Sequence, residues 1–281
     1  MGLWSGPRPG RPYLAGAPVL IAHRGGSRIV PENTLEGFRQ AVEVWDADML
    51  EMDAHLTRDG VPVIIHDATV DRTTDGTGAV AELRLAELRE LDAGYRFVDS
   101  DGDATYRGRG VRIPSIDEIL EAFPGVWINL ECKTAAVAAP VVEVVRRHRA
   151  EARVLIAAEY ERWRRGALGY EGPWGASRHH IYLFRVLSGL PHAAGYTPGA
   201  DVLQVPERWK GWQIVTPRFI EQAHRKNIPV QVWTVDDPDD MVRLLEWGAD
   251  GIQTDRPDIL ARVLHERFGR PAAPGLQGAV A

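Results

Sequence analysis

The sequence predicts a (β/α)8 barrel of the TIM class, an expectation carried by three observations. Short apolar runs of strand character alternate with amphipathic helical segments along most of the 281 residues. Helix-opening signals follow strands or their loops at Asn33-Thr34-Leu35-Glu36, Ser115-Ile116-Asp117-Glu118, Thr216-Pro217 and Asp237-Pro238. The length suits eight such units, and no glycine-rich phosphate loop follows a strand to announce an open nucleotide-binding sheet; Gly76-Thr77-Gly78 lies in a polar stretch.

Taken in order, strands are expected at VLIAH from Val19, MLEMDAHL from Met49, VPVIIH from Val61 and VWINLEC from Val126. RVLIAAE from Arg153, HIYLF from His180, DVLQVPE from Asp201, VQVWTV from Val230 and GIQTD from Gly251 continue the series. From Thr69 to Arg112 the rhythm breaks into polar, glycine-rich sequence with a helical piece near Leu83 to Leu91, expected as an insertion (69–112) packed over one end of the barrel. The barrel domain is expected over 18–268, with 1–17 and 269–281, rich in Gly, Pro and Ala, as loose tails.

Composition narrows the class. With 44% hydrophobic and 26% charged residues the chain reads as an ordinary soluble protein, and a net charge of -6 argues against a nucleic-acid binder. Cys132 is the single cysteine, so no intramolecular disulfide can form. The N-terminus lacks a charged-then-apolar signal pattern, and no apolar run approaches the roughly 18 residues of a membrane span. A cytoplasmic location is expected, with any membrane contact peripheral.

The chemistry gathers at strand ends. Alternation places Met49, Glu51, Asp53 and His55 on one face of their strand. Two acids at i and i+2 on a buried strand repel unless something neutralises them, and a hard divalent cation does so; salt bridging at a barrel end is the competing account. In INLECK, Glu131 and Lys133 share a face and add a third acid and a cation. His23 and His66 each stand where an apolar run gives way to polar loop, the rim that carries catalysis in a barrel. His179, His180 and His192 show no partner pattern and read as solvated. Acids for a cation, two titratable rings, Arg24 and Lys133 together suit phosphoryl transfer, whose transition state spreads negative charge over nonbridging oxygens. No G-x-S-x-G, H-E-x-x-H or C-x-x-C is present.

These residues sit in an ordered set of motifs: AHRG (Ala22 to Gly25), PENT (Pro31 to Thr34), E-x-D-x-H-L-T-x-D-G (Glu51 to Gly60), HD at His66 followed by DRTTDGTG to Gly78, RIPSIDEIL from Arg112, LECK, VWTVDD and GADGIQTDRPD. In this the chain resembles the glycerophosphodiester phosphodiesterases over most of its length. The resemblance implies a TIM barrel with a small insertion after the second-strand hairpin. It also implies metal-dependent hydrolysis of glycerophosphodiesters to glycerol 3-phosphate and an alcohol.

Carried across by position, it makes Glu51, Asp53 and Glu131 ligands of one divalent cation, Mg²⁺ or Ca²⁺ with Mn²⁺ a third candidate. It makes His23 and His66 the acid/base pair, and Arg24 and Lys133 the phosphate-holding cations. Glu32 would lie near the metal or orient His23 or Arg24, and Trp233 would wall the pocket or belong to the core. Cys132 and Asp236 depart from the family's usual aliphatic residue and asparagine. Two alternatives stand beside the main expectation: a lysophospholipid or other phosphodiester as substrate, suggested by Trp163, Trp174, Leu183, Phe184, Trp209 and Trp212, or a silent barrel that only binds a phosphorylated ligand. The leaving alcohol and the oligomeric state are open. With no serine or cysteine in a nucleophile motif, the substrate's own glycerol hydroxyl is expected to attack phosphorus, giving a cyclic phosphate that water opens.

Overall fold

The computed structural model describes residues 18–187 and 196–277; the expected tail at 1–17 and His192 lie outside them. Its elements are, in chain order, β1 (Val19–His23), α1 (Leu35–Glu43), β2 (Met49–Leu56), β3 (Pro62–Ile64), α2 (Leu85–Leu88), α3 (Ile116–Ala122), β4 (Trp127–Cys132), α4 (Ala135–Arg147) and β5 (Val154–Ala157). There follow α5 (Glu161–Arg164), α6 (Arg178–Leu187), β6 (Leu203–Pro206), β7 (Arg208–Trp209), β8 (Trp212–Gln213), α7 (Pro217–His224), β9 (Val230–Trp233), α8 (Pro238–Glu246), β10 (Gly251–Thr254), α9 (Pro257–Phe268) and α10 (Pro274–Gln277).

Local chemistry opens the helices where the sequence anticipates, except that the cap of α1 is Thr34 and not Asn33, whose side chain is taken by Asp53. Thr34 Oγ1 accepts the Gly37 amide, Ser115 and Glu118 form a reciprocal capping box, and Thr216 and Asp237 cap helices whose first residue is proline. The parallel strands run β5-β4-β2-β1-β10-β9-β6, with β3 folded back antiparallel on β2. Trp174 and Gly175 close the ring. Gly175 donates to the Ile156 carbonyl at 3.0 Å and Ala176 to that of Val202 at 3.0 Å, so a two-residue stave bridges β5 to the start of β6.

That stave is not where the sequence placed it. HIYLF lies within α6, because His180 and Phe184 are buried four residues apart while Tyr182 is exposed, a helical period rather than an alternation. His180, expected to be solvated, is therefore buried, with Nε2 3.7 Å from Glu161.

Alternation then sorts the side chains. Leu20, Leu50, Met52 and Leu130 point outward to pack with Phe38 and Val141 in the layer between sheet and helices. Val19, Ile21, Met49, Leu155 and Val202 fill the barrel floor, with Trp127 against them. Above that floor the same strand faces turn polar, which is what places the site. The insertion has a separate small core of Val63, Ile65, Val70, Val80, Leu88, Ala93, Val111 and Ile113, built on the β3 hairpin. The stretch after Arg270, expected as loose, is fastened as far as α10: Arg270 pairs with Asp48 at 2.6 Å, Gly275 donates to the Val44 carbonyl at 2.8 Å, and Ala273 is buried. Among the described residues no helix is long and apolar enough to cross a membrane.

Candidate active site

β1 ends at His23, and the chain turns at once through Gly25 and Gly26, with φ of 86° and 101°. A side chain on Gly25 would meet the backbone of α1, and one on Gly26 would meet the ring of Pro257, so the turn needs both glycines. Arg24 and Asn33 also hold left-handed backbones, at φ 52° and 57°, each costing on the order of 1–2 kcal/mol. Both are tied down. The Arg24 amide donates to Glu51 Oε2 at 3.1 Å, its carbonyl accepts the Asn33 amide at 2.9 Å, and Asn33 Nδ2 donates to Asp53 Oδ2 at 3.0 Å. Strain is spent where it aims the first turn at the carboxylates.

Register brings the acids together. His23 pairs with Glu51, and Asp53 with Glu131, across neighbouring parallel strands. One oxygen from each of Glu51, Asp53 and Glu131 lies within 4.8 Å of the others. Lys133 Nζ donates to Asp53 Oδ1 at 2.9 Å and Glu131 Oε2 at 2.8 Å. Arg24 Nε is 3.2 Å from Asp53 Oδ2, close enough for an ion pair but misaligned, so this buried N–H makes no hydrogen bond. Three oxygens from carboxylates, two of those groups fully buried, are a donor set that fits a hard divalent cation such as Mg²⁺ or Ca²⁺.

Electrostatics follow from this crowding. Burial and the neighbouring Asp53 push the Glu51 carboxyl up to about 7. Burial would raise Asp53 too, but Lys133 and Arg24 outweigh it and hold that carboxyl far below its ordinary range. Burial acts against a proton on His23, yet Glu51 and the Asp255 hydrogen bond prevail and raise its pKa above the usual 6.5. Buried Cys132 is pushed up to about 12, an unreactive thiol that packs in the core.

Both histidines are backed by a carboxylate. His23 Nδ1 lies 2.6 Å from Asp255 Oδ1, and its Nε2 is 3.8 Å from Glu51 Oε2. His66 Nδ1 lies 2.6 Å from Asp67 Oδ1. In each, the ring's Nδ1–H donates to the carboxylate and Nε2 lies free of that bond. Asp236, the departure from asparagine, accepts the Asp255 amide at 2.8 Å and the Thr254 hydroxyl at 2.9 Å, so it holds the loop that holds His23.

Glu32 is not one of the three acids whose oxygens gather within 4.8 Å, but it shares Arg24 with Asp53. It is clamped by Arg24 at 3.2 Å and by both terminal nitrogens of Arg72 at 2.8 and 2.7 Å, while Arg72 Nε donates to Asp67 at 2.6 Å. Trp233 stands half-buried at the end of β9, two residues beyond inward-facing Gln231, and so faces the mouth. Trp174 and Phe184 are core residues, whereas Trp209 and Trp212 are exposed. Asp67, Arg72 and Asp255 escaped the sequence reading, as did the contacts of Asn33 with Asp53 and of His55, whose Nε2 meets the His66 carbonyl at 3.1 Å. Asp67, Arg72 and Asp255 lie inside the quoted motifs, but nothing in their spacing names their partners.

The pattern of the Glycerophosphoryl diester phosphodiesterase family matches residues 23–259. A glycerophosphodiester phosphodiesterase from Caldanaerobacter subterraneus subsp. tengcongensis is 32% identical over 265 residues, covering 88% of this chain and 98% of that protein. The crystal structure of a glycerophosphodiester phosphodiesterase from Agrobacterium tumefaciens superposes with a TM-score of 0.70 at 27% identity, covering 87% of this chain and 99% of the other. An Oleispira antarctica phosphodiesterase, solved in complex with the product sn-glycerol-3-phosphate, gives a TM-score of 0.72 at 26% identity over 89% of this chain and 98% of that one.

Proposed function

The chain belongs to the glycerophosphoryl diester phosphodiesterase family, and on that premise we propose that it hydrolyses glycerophosphodiesters to glycerol 3-phosphate and an alcohol with one divalent cation and a histidine pair. One observation carries the proposal: three carboxylate oxygens within 4.8 Å of one another, flanked by two rings that each lean on a carboxylate. Glu51, Asp53 and Glu131 hold the cation, which when bound supplies positive charge to the phosphoryl oxygens. Arg24 and Lys133 add fixed cations beside it, and Arg24 Nε, buried and lacking a hydrogen bond, is a donor available to a phosphate oxygen. Glu32 and Arg72 keep Arg24 in place, and Trp233 walls the mouth.

The residues then move protons. One histidine takes the proton of the glycerol hydroxyl on Nε2 as that oxygen bonds to phosphorus. The other gives its Nε2 proton to the departing alcohol oxygen as the phosphorus–oxygen bond breaks, and a five-membered cyclic phosphate forms. Water opens the ring with the two roles exchanged, restoring both protonation states. Asp255 and Asp67 hold the rings in the required tautomer and orientation throughout.

A diester lacking only the hydroxyl next to the ester carbon tests this scheme. It should compete with glycerophosphocholine for the site and remain uncleaved. Cleavage at a rate comparable to the parent would replace the cyclic route by direct attack of water.

A further inference from the structure

We propose that the β7–β8 hairpin, with the adjoining face of α6, is a docking device that seats the mouth of the barrel on an anionic lipid bilayer. The hairpin follows β6 directly, and β6 ends at Pro206 in register with Trp233, so it rises from the same rim as the catalytic residues. Its sequence from Arg208 to Trp212 is R-W-K-G-W, and every one of those residues is exposed.

Trp209 and Trp212 pair directly across the two strands, 41% and 78% exposed. Lys210 and Gly211, at φ 48° and 83°, make the tight turn that thrusts them outward. Arg178, at the start of α6, lays its guanidinium 4.6 Å from the Trp209 ring centroid. One and two turns further along the same face, Tyr182 and Val186 are 67% and 47% exposed. Thus most of the strongly exposed large apolar side chains among the described residues are gathered here, interleaved with cations.

This composition names its partner. Aromatic rings with a polar edge settle at the headgroup level of a bilayer, and Lys and Arg beside them meet lipid phosphates. No acid lies between Arg208 and Trp212; of the acids beside the patch, Glu207 is held by Arg243 at 3.0 Å with Arg208 at 3.9 Å, and Glu159 by Arg178 at 3.0 Å. A second copy docked about a two-fold axis would set Arg178, Arg208 and Lys210 against themselves, which disfavours a dimer through this face. The chain as a whole is acidic, with a net charge of -6, so an anionic surface accepts this basic rim and repels other orientations.

The test is sedimentation of the full chain with vesicles of phosphatidylcholine alone and of phosphatidylcholine mixed with phosphatidylglycerol. Association is read without turnover, so it stands or falls apart from the proposed activity. The chain should bind the mixed vesicles and be released by salt. Lys210→Glu should weaken binding by roughly fivefold or more, and Trp212→Glu by about tenfold or more. Both variants should cleave a soluble diester at the wild-type rate, which certifies their fold. Failure of the wild-type chain to bind mixed vesicles would overturn the proposal, as would undiminished binding by both variants. So would a solution dimer that Trp212→Glu splits into monomers.

Discussion

Two walls of the barrel mouth face the same space with different chemistry. The wall of β1, β2 and β4 presents His23, Glu51, Asp53 and Glu131. The wall of β6, β9 and β10 presents Gln204, Gln231 and Gln253, with Gln204 Nε2 donating to Gln231 Oε1 at 3.0 Å. On the first wall charge stands against charge, and the proton affinities of His23, Glu51 and Asp53 are set by their charged neighbours as well as by burial. On the second, one amide bond joins Gln204 to Gln231, Gln231 Nε2 is left buried without a hydrogen bond, and no group changes charge. The contrast separates two jobs: one wall concentrates the field that a phosphoryl group needs, and the other keeps the ring closed and the mouth shaped.

Cation removal should break the contrast most severely. Exhaustive chelation should abolish turnover, and restored Mg²⁺ or Ca²⁺ should recover it. Glu51→Ala, Asp53→Ala and Glu131→Ala should each lose metal affinity, measured calorimetrically. Asp53→Ala should also destabilise the metal-free protein by about 3–5 kcal/mol, since it leaves buried Arg24 and Lys133 short of their shared partner. Gln231→Met, on the neutral wall, strands Gln204 Nε2 but removes the equally unpartnered Gln231 Nε2, so it should change stability little and leave metal affinity intact. Full activity after verified metal removal would refute the charged-wall assignment.

Next in size come the rings. His23→Ala and His66→Ala should each slow turnover by roughly 10²-fold or more while still binding the cation, and the wild-type rate should trace a bell against pH. A near-normal rate in either variant would move the proton transfers elsewhere.

A smaller effect sharpens the comparison within a single strand and its loop. Asp255→Asn keeps the shape beside His23 but removes the charge, and should cost about 10–100-fold in rate. Because the carboxylate raises the proton affinity of His23, the limb of the pH profile that follows this ring should move to lower pH in the variant. Gln253→Met, two residues earlier on the neutral wall, should leave the profile in place. An unchanged profile in Asp255→Asn would reduce Asp255 to a structural role.

How much of this was legible in the sequence depends on the range of each interaction. Period-two alternation put Glu51 and Asp53 on one face and Glu131 with Lys133 on another, and strand register then brought the two sets together without further information. The helix caps at Ser115, Thr216 and Asp237 were equally local, whereas that of α1 falls at Thr34, one residue after the expected Asn33. The closing stave was not legible, because two residues between Pro173 and Ala176 are too few to show a period, while the richer run HIYLF fits a strand and a helix alike. Asp255 could not be matched to His23 across 232 positions of chain, nor Arg72 to Glu32 across 40, since both pairings exist only once the barrel has closed.

The smallest effect concerns acid stability, and it too divides the walls. Asp67, on the loop above the charged wall, is partly exposed; burial would raise its pKa, but hydrogen bonds from Arg72 and His66 outweigh this and lower it from 3.8 to about 2. A carboxyl that ionises more readily in the folded chain than in the unfolded one adds stability at every pH above its unfolded pKa. That increment disappears as pH falls through the folded value, so for Asp67 the window runs from about 4 down to about 2. Asp67→Asn removes the increment and should lower the melting temperature slightly near neutrality, with the difference from wild type closing across that window. Solvent screening keeps the effect small, and added salt should shrink it further. Gln204→Met carries no titrating group and should give a difference that does not vary with pH. A pH-independent difference for Asp67→Asn as well would mean that the Arg72 clamp holds Glu32 and the His66 loop by shape alone.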